Sequence, residues 1–105
     1  MAWIYLVLAG VCEIGWPIGL KLGWTPAGAR PLWIGFAILC IAVSGALLLM
    51  AQRVIPMGTA YAVWTGIGAA GTFAMGIAMF GEAATTMRMV SAGLIIAGVV
   101  GLKFA

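Results

Sequence analysis

Charged residues and histidine are what this sequence of 105 residues lacks most. Only 7% of its residues are charged, it has no histidine, and its mean hydropathy is +1.25. A soluble domain carries about 25% charged residues, so the composition predicts an integral membrane protein. The sequence contains neither a nucleophile–base set nor a group of metal ligands, so we expect no enzyme activity, no metal site and no cofactor.

Clustered charge is also missing. The net charge is +3, but the basic residues stand singly, which argues against a nucleic-acid partner because no surface tracks phosphates. They are better explained as anchors at the lipid headgroups. The two cysteines, Cys12 and Cys40, fall within apolar segments. We expect them to pack as small apolar side chains, without forming a disulfide.

Four apolar segments make up most of the chain. They span about 2–20, 32–51, 58–80 and 85–104. The first would reach about 28 Å as a helix, which is about the hydrocarbon thickness of a bilayer. In lipid the backbone must satisfy its own hydrogen bonds, so runs this long and unalternating predict helices. We therefore predict an all-α membrane protein in which residues 1–105 form one domain of four transmembrane helices.

The basic residues are divided almost evenly between the two ends of such a domain. Lys21, Arg30 and Arg88 fall on the side of the first and third loops, and Arg53 and Lys103 fall on the other side with the N-terminal amine. Membrane orientation follows the difference in basic charge between the two sides. The near balance predicts dual topology, and two oppositely inserted copies would form an antiparallel homodimer with the inverted symmetry of larger transporters.

Glu13 stands alone in the middle of the first segment, with no other charge before Lys21. An ionisable residue at membrane depth is unfavourable unless it is protonated, paired or hydrated, so it indicates a functional site. The alternative is a neutral acid that bonds between helices. Trp16 shares the face of Glu13 at a spacing of three residues. Pro17 either frees a backbone carbonyl beside the carboxylate or only kinks the helix.

The second and third segments add polar and aromatic candidates. Ser44 is the hydroxyl inside the second segment, and it either bonds back to its own turn or reaches Glu13 or a substrate. Tyr61 and Trp64 share a face with two glycines, which is typical of a cavity wall for a flat cation. Interfacial aromatic residues are the alternative. Three glycines of this segment indicate close helix contact or a flexing kink: Gly66, Gly68 and Gly71.

The fourth segment carries a stripe of small residues at a spacing of four. Gly93, Ala97 and Gly101 would let two membrane helices approach closely. The spacing fits contact between two copies and fits packing inside one copy equally well. Glu82, after the third segment, is expected to be a solvated loop charge.

Along essentially its whole length the chain resembles the small multidrug resistance family. The shared motifs are A-G-V-C-E-I-G-W around Glu13 and P-M-G-T-A-Y-A-V-W-T-G-I-G-A in the third segment. Within the family it looks like the guanidinium-exporter subtype, because Trp16 stands three residues after the acid, Trp64-Thr65-Gly66 replaces the usual Trp-Ser of multidrug members, and Gly101-Leu102-Lys103 stands near the end of the chain. Two departures are Pro17, where the family usually has a small aliphatic residue, and Ser91.

The resemblance implies an antiparallel homodimer in the cell (inner) membrane that exchanges protons for guanidinium or a small guanidinyl cation. It implies that Glu13 binds both proton and substrate, and that Trp16 and Ser44 hydrogen-bond and orient it. Tyr61 and Trp64 would match the aromatic pair of the binding cavity. Many multidrug members have a seven-spaced glycine pair in the fourth helix, of which this chain keeps Gly98 and has Ser91 at the first position.

Two other functions remain open on the sequence. A proton-coupled multidrug exporter would keep the fold and carry quaternary ammonium or other hydrophobic cations. A small structural subunit of a membrane complex would instead pair Glu13 with a cation of its partner. An organised polar site around Glu13 favours a small ligand rich in donors, so the sequence predicts a proton-coupled antiporter that exports guanidinium.

Overall fold

The computed structural model describes residues 1–105 and consists of four long helices and one short hairpin. The helices are α1 (Ala2–Gly23), α2 (Pro31–Ala51), α3 (Met57–Phe80) and α4 (Thr86–Phe104). The hairpin pairs β1 (Trp24–Thr25) with β2 (Gly28–Ala29) in antiparallel register between α1 and α2. All four helices are long and apolar enough to cross a bilayer. The protein is a multi-pass, all-α membrane protein, which confirms the predicted fold class.

Local sequence explains where the helices begin and end. Pro31 opens α2 in its first turn, where a backbone N–H has no helical partner to lose. Gly81 closes α3 with a left-handed φ of 65°, a conformation that glycine adopts without strain. Thr85 caps α4, since its Oγ1 accepts a hydrogen bond from the Arg88 N–H at 3.3 Å.

The first loop is more ordered than a simple turn. α1 continues past the expected end at Leu20 to Gly23. Gly28 has a φ of 123°, which allows the chain to reverse, and Thr25 Oγ1 donates to the Gly28 carbonyl at 3.0 Å. The Arg30 N–H donates to the Gly23 carbonyl at 2.7 Å. These bonds tie the hairpin to the end of α1.

Helix α1 lies between α2 and α3, and α4 packs mainly on α3. Glycine allows α1 and α2 to come close: a Cβ on Gly19 would lie 2.9 Å from Ala37 Cβ and 3.0 Å from the Trp33 carbonyl oxygen. The principal extents are 46 × 34 × 17 Å, so the molecule is thin in one direction. Only 14 of 105 residues are buried, and none of these is in α4. One copy therefore has almost no enclosed interior.

The small residues of α4 face open space within the chain. A Cβ added to Gly93, Gly98 or Gly101 would meet no atom within 4 Å, and Ala97 is exposed. Packing of this stripe inside one copy, which the sequence left open, is therefore contradicted. The stripe is available to another helix.

The close approach at Gly19 predicts a clear stability difference. We expect Gly19→Ala to lower the free energy of unfolding by about 1–3 kcal/mol, because its new methyl group meets backbone atoms that cannot move aside. Gly35→Ala is the matched control, since Gly35 has no atom within 4 Å of an added Cβ. The free energy of unfolding of both variants is measured by following helicity with circular dichroism during denaturation in detergent. Equal stability of the two variants would contradict the packing described here.

Candidate membrane-embedded binding site

Glu13 lies on α1 with its carboxyl group directly against the backbone of α3. A Cβ on Gly68 would lie 2.8 Å from Glu13 Cδ and 3.3 Å from Glu13 Cβ, and it would overlap Glu13 Oε2. Gly71 accommodates Ile14 in the same way, one turn further along α3. The Glu13 side chain therefore fits between α1 and α3 only because residue 68 is glycine and has no side chain.

The three glycines of α3 are all points of close contact. Gly66 faces Val99 of α4, whereas Gly68 and Gly71 face α1. Helix α3 runs without interruption from Met57 to Phe80. Of the two roles predicted for these glycines, the structure shows close packing.

The Glu13 carboxyl group opens onto a cleft of about 230 Å³ between α1 and α3. The cleft is lined by Glu13, Pro17, Thr65, Gly68, Ala69 and Thr72. Its α3 wall follows helical spacing, because positions 65, 68 and 72 repeat at three and four residues. Thr65 and Thr72 thus share the cleft with the acid. Their hydroxyl groups can donate and accept hydrogen bonds, which adds polar partners to a cleft whose surface is mainly apolar.

The observed α3 wall differs from the predicted one. Of the predicted face, Gly68 lines the cleft, but Gly71 packs against Ile14 and Trp64 turns toward α2. Thr65 and Thr72 received no role from the sequence, although their spacing around Gly68 was visible. The face of α3 that packs on α1 and the face that lines the cleft are adjacent on the helix. Residue spacing alone does not show how α3 is rotated about its axis, so it does not distinguish the two faces.

Ser44 is the fully buried polar side chain, and it joins three helices. Its Oγ donates to the Ala9 carbonyl of α1 at 2.6 Å and accepts from Trp64 Nε1 of α3 at 2.8 Å. The predicted bond from Ser44 to Glu13 is not formed, because the single hydroxyl proton goes to Ala9, one turn before Glu13. Ser44 instead fixes α1 and α3 relative to α2 near the acid.

Trp16 and Glu13 hold two buried polar atoms that make no hydrogen bond within the chain. They are the donor Trp16 Nε1 and the acceptor Glu13 Oε2. The two side chains are one helical turn apart, and neither of these atoms makes a hydrogen bond of good geometry; the bond between them remains a prediction. A buried polar atom left unpaired is unfavourable. This pair is therefore a place where a proton or a ligand can supply hydrogen bonds.

Tyr61 and Trp64 form an aromatic pair beside the cleft. Their ring centroids are 5.5 Å apart and their planes are tilted by 47°. The bond to Ser44 holds the Trp64 ring, whereas Tyr61 is 56% exposed. The pair lies one and two turns along α3 from Gly68, outside the lining of the cleft. The pair therefore lies along α3 from the acid and does not line its cleft.

Fold and site together define a small multi-pass membrane protein with one acid at membrane depth, which lines a cleft together with two threonines. The family model for small multidrug resistance proteins matches residues 1–95, and the chain belongs to this family. Similar relatives include the guanidinium exporter of Yersinia pseudotuberculosis, 50% identical over all of this chain and 99% of the relative. The guanidinium exporters of Citrobacter freundii and Salmonella typhimurium are 46% and 45% identical over all of this chain and 98% of each relative.

The Ser44 bonds generate a prediction about stability. We expect Ser44→Ala to lower the free energy of unfolding by about 1–3 kcal/mol, because the Trp64 N–H loses its buried acceptor. Ser91→Ala is the control, since Ser91 is exposed and bonds only to the Met87 carbonyl of its own turn; we expect it to change stability by less than about 0.5 kcal/mol. Denaturation in detergent gives the free energy of unfolding of the two variants for comparison. If both substitutions had the same effect, Ser44 would not be a link between helices.

Proposed function

We propose that the protein is an antiporter that exports guanidinium in exchange for protons, with Glu13 binding either the proton or the cation. The observation that carries this proposal is the Glu13 carboxyl group, seated on Gly68 and facing a cleft with two hydroxyls. The names of the relatives, all guanidinium exporters at 45–50% identity over the whole chain, support the substrate.

The chemistry of the cleft suits a guanidinium ion. This cation is planar and carries its N–H donors in a fixed fork, so a carboxylate accepts two parallel hydrogen bonds from it. Thr65 and Thr72, which line the same cleft, would accept from the remaining N–H groups. Trp16 Nε1 would donate to the Glu13 carboxylate and orient it. Tyr61 and Trp64 offer π faces near the bound cation.

Coupling follows from the use of a single acid. A protonated Glu13 is neutral and cannot form a charge-assisted pair with guanidinium, and a paired Glu13 cannot hold its proton. Binding of the cation therefore releases the proton, and binding of the proton releases the cation. An inward proton gradient across the inner membrane then drives guanidinium out of the cell.

We propose further that the working unit is an antiparallel homodimer. The cleft lies on an open side of a thin molecule, and the near balance of basic charge suits insertion in both orientations. The open small-residue stripe of α4 would form the contact between copies through Gly93, Ala97, Gly98 and Gly101. A dimer holds two Glu13 side chains, so we propose the exchange of two protons for each guanidinium.

Two rival functions predict different behaviour. An exporter of quaternary ammonium compounds would rely on apolar contacts, because such cations have no N–H group to donate to Glu13, Thr65 or Thr72 of the cleft. A structural subunit would require a partner protein and would not transport alone. The names of the relatives, all guanidinium exporters, support the small, donor-rich cation.

Transport by purified protein tests the proposal directly. In liposomes with an acidic interior, we expect guanidinium uptake by the wild type and at least a hundredfold less uptake by Glu13→Gln, because an amide neither releases a proton nor pairs with a cation. Gly35→Ala, whose added Cβ meets no atom within 4 Å, is the control and should transport like the wild type.

A second variant in the same experiment tests the position of the acid, with its charge kept. Gly68→Ala adds a methyl group where the Glu13 carboxyl group lies, so we expect about a tenfold loss of uptake with the carboxylate still present. Uptake of tetraethylammonium instead of guanidinium would favour the multidrug function. Full activity of Glu13→Gln, or no uptake by folded wild type, would overturn the proposal.

A further inference from the structure

A second cleft, of about 110 Å³, lies at the ends of α1 and α3. It is lined by Pro17, Ile18, Lys21, Thr72, Gly76, Phe80 and Glu82. Pro17 and Thr72 also line the Glu13 cleft, so the two clefts are neighbours along one groove between α1 and α3. This groove leads from Glu13 to the membrane face at which α3 ends.

Glu82 is more structured than the solvated loop charge expected from the sequence. Its backbone N–H donates to the Gly76 carbonyl at 3.2 Å. Its side chain folds back onto α3, because a Cβ on Gly76 would lie 2.8 Å from Glu82 Cδ and would overlap Oε1. This repeats the arrangement of Glu13 on Gly68, eight residues earlier and about 12 Å away along the helix. Both carboxylates are thus seated on a glycine of α3.

The outer carboxylate already has a cation beside it. Lys21 Nζ lies 3.9 Å from Glu82 Oε2 and 5.2 Å from the centroid of the Phe80 ring. A carboxylate next to an aromatic face is a binding site for a cation. The side chains of Lys21 and Glu82 are 57% and 42% exposed, and exposed ion pairs of this kind are weak and exchange readily.

We propose that Glu82 and Phe80 form an outer cation site, in which guanidinium displaces the Lys21 ammonium on its way between Glu13 and water. The inference rests on the proposed function for its substrate. A guanidinium ion can bond bidentately to the carboxylate and stack on the ring, whereas the ammonium is a point charge. Lys21 is thus a tethered competitor that occupies the outer site until the substrate arrives.

The first test is the concentration dependence of guanidinium uptake. We expect Lys21→Met to lower KM about two- to fivefold, the effect of removing one exposed ion pair. In a Glu82→Gln background, the same substitution should leave KM unchanged, because the two residues act as a pair. Arg30→Gln, which removes another cation from the loop after α1, should not change KM. An equal KM decrease for Lys21→Met in both backgrounds and for Arg30→Gln would show a general surface-charge effect and overturn the proposal, as would a change in maximal rate alone.

The second test measures binding without transport, so it remains informative even if the proposed function fails. In the Glu13→Gln background, guanidinium chloride is titrated against the amide NMR signals of Gly81 and Glu82, with sodium chloride as the matched salt. We expect saturable shifts in Lys21→Met and their loss when Glu82→Gln is added. A titration without saturation in Lys21→Met, or one that Glu82→Gln leaves intact, would overturn the outer site.

Discussion

A carboxylic acid between two membrane helices needs a neighbour without a side chain, and the arrangement of this protein depends on that fit. Glu13 of α1 lies on Gly68 of α3, where a single added methyl group would overlap its carboxyl oxygen. The contact brings the acid to a cleft whose other wall carries hydroxyls. Contacts of Gly71 with Ile14 and of Gly19 with Ala37 hold α1 close to both neighbours, so its position, and with it the acid, is closely defined.

Hydrogen bonds between helices add to the close packing around α1. Ser44 Oγ accepts a hydrogen bond from the Trp64 N–H and donates one to the Ala9 carbonyl, so one hydroxyl connects α1, α2 and α3 near the acid. In lipid such bonds lack competition from water, although measured values remain modest. The rest of the molecule is thin and weakly buried, with α4 attached at the edge and its glycines open. Rigid packing around Glu13 and an open face beside it suit a site that a second copy would complete.

Composition and segment length were enough to predict four transmembrane helices, because hydrocarbon thickness and backbone bonding leave few alternatives. Glu13 could also be found from the sequence, since an isolated acid in an apolar run is unfavourable in lipid and is rare there without a functional role. The hydrogen-bond partners of the polar side chains could not be predicted from the sequence. Ser44 was assigned to Glu13 yet bonds to Ala9, and Thr72 was given no role yet lines the cleft. Those contacts depend on how each helix is rotated about its own axis, which the helical period does not specify.

Transport as proposed here depends on the proton and the guanidinium ion competing for one carboxylate, that of Glu13. It is tested most directly by adding guanidinium to the purified protein in weakly buffered detergent solution and recording proton release with a pH indicator over a series of pH values. We expect saturable proton release where Glu13 is protonated, and none from Glu13→Gln. Guanidinium binding to the wild type without proton release at any pH would contradict a shared carboxylate.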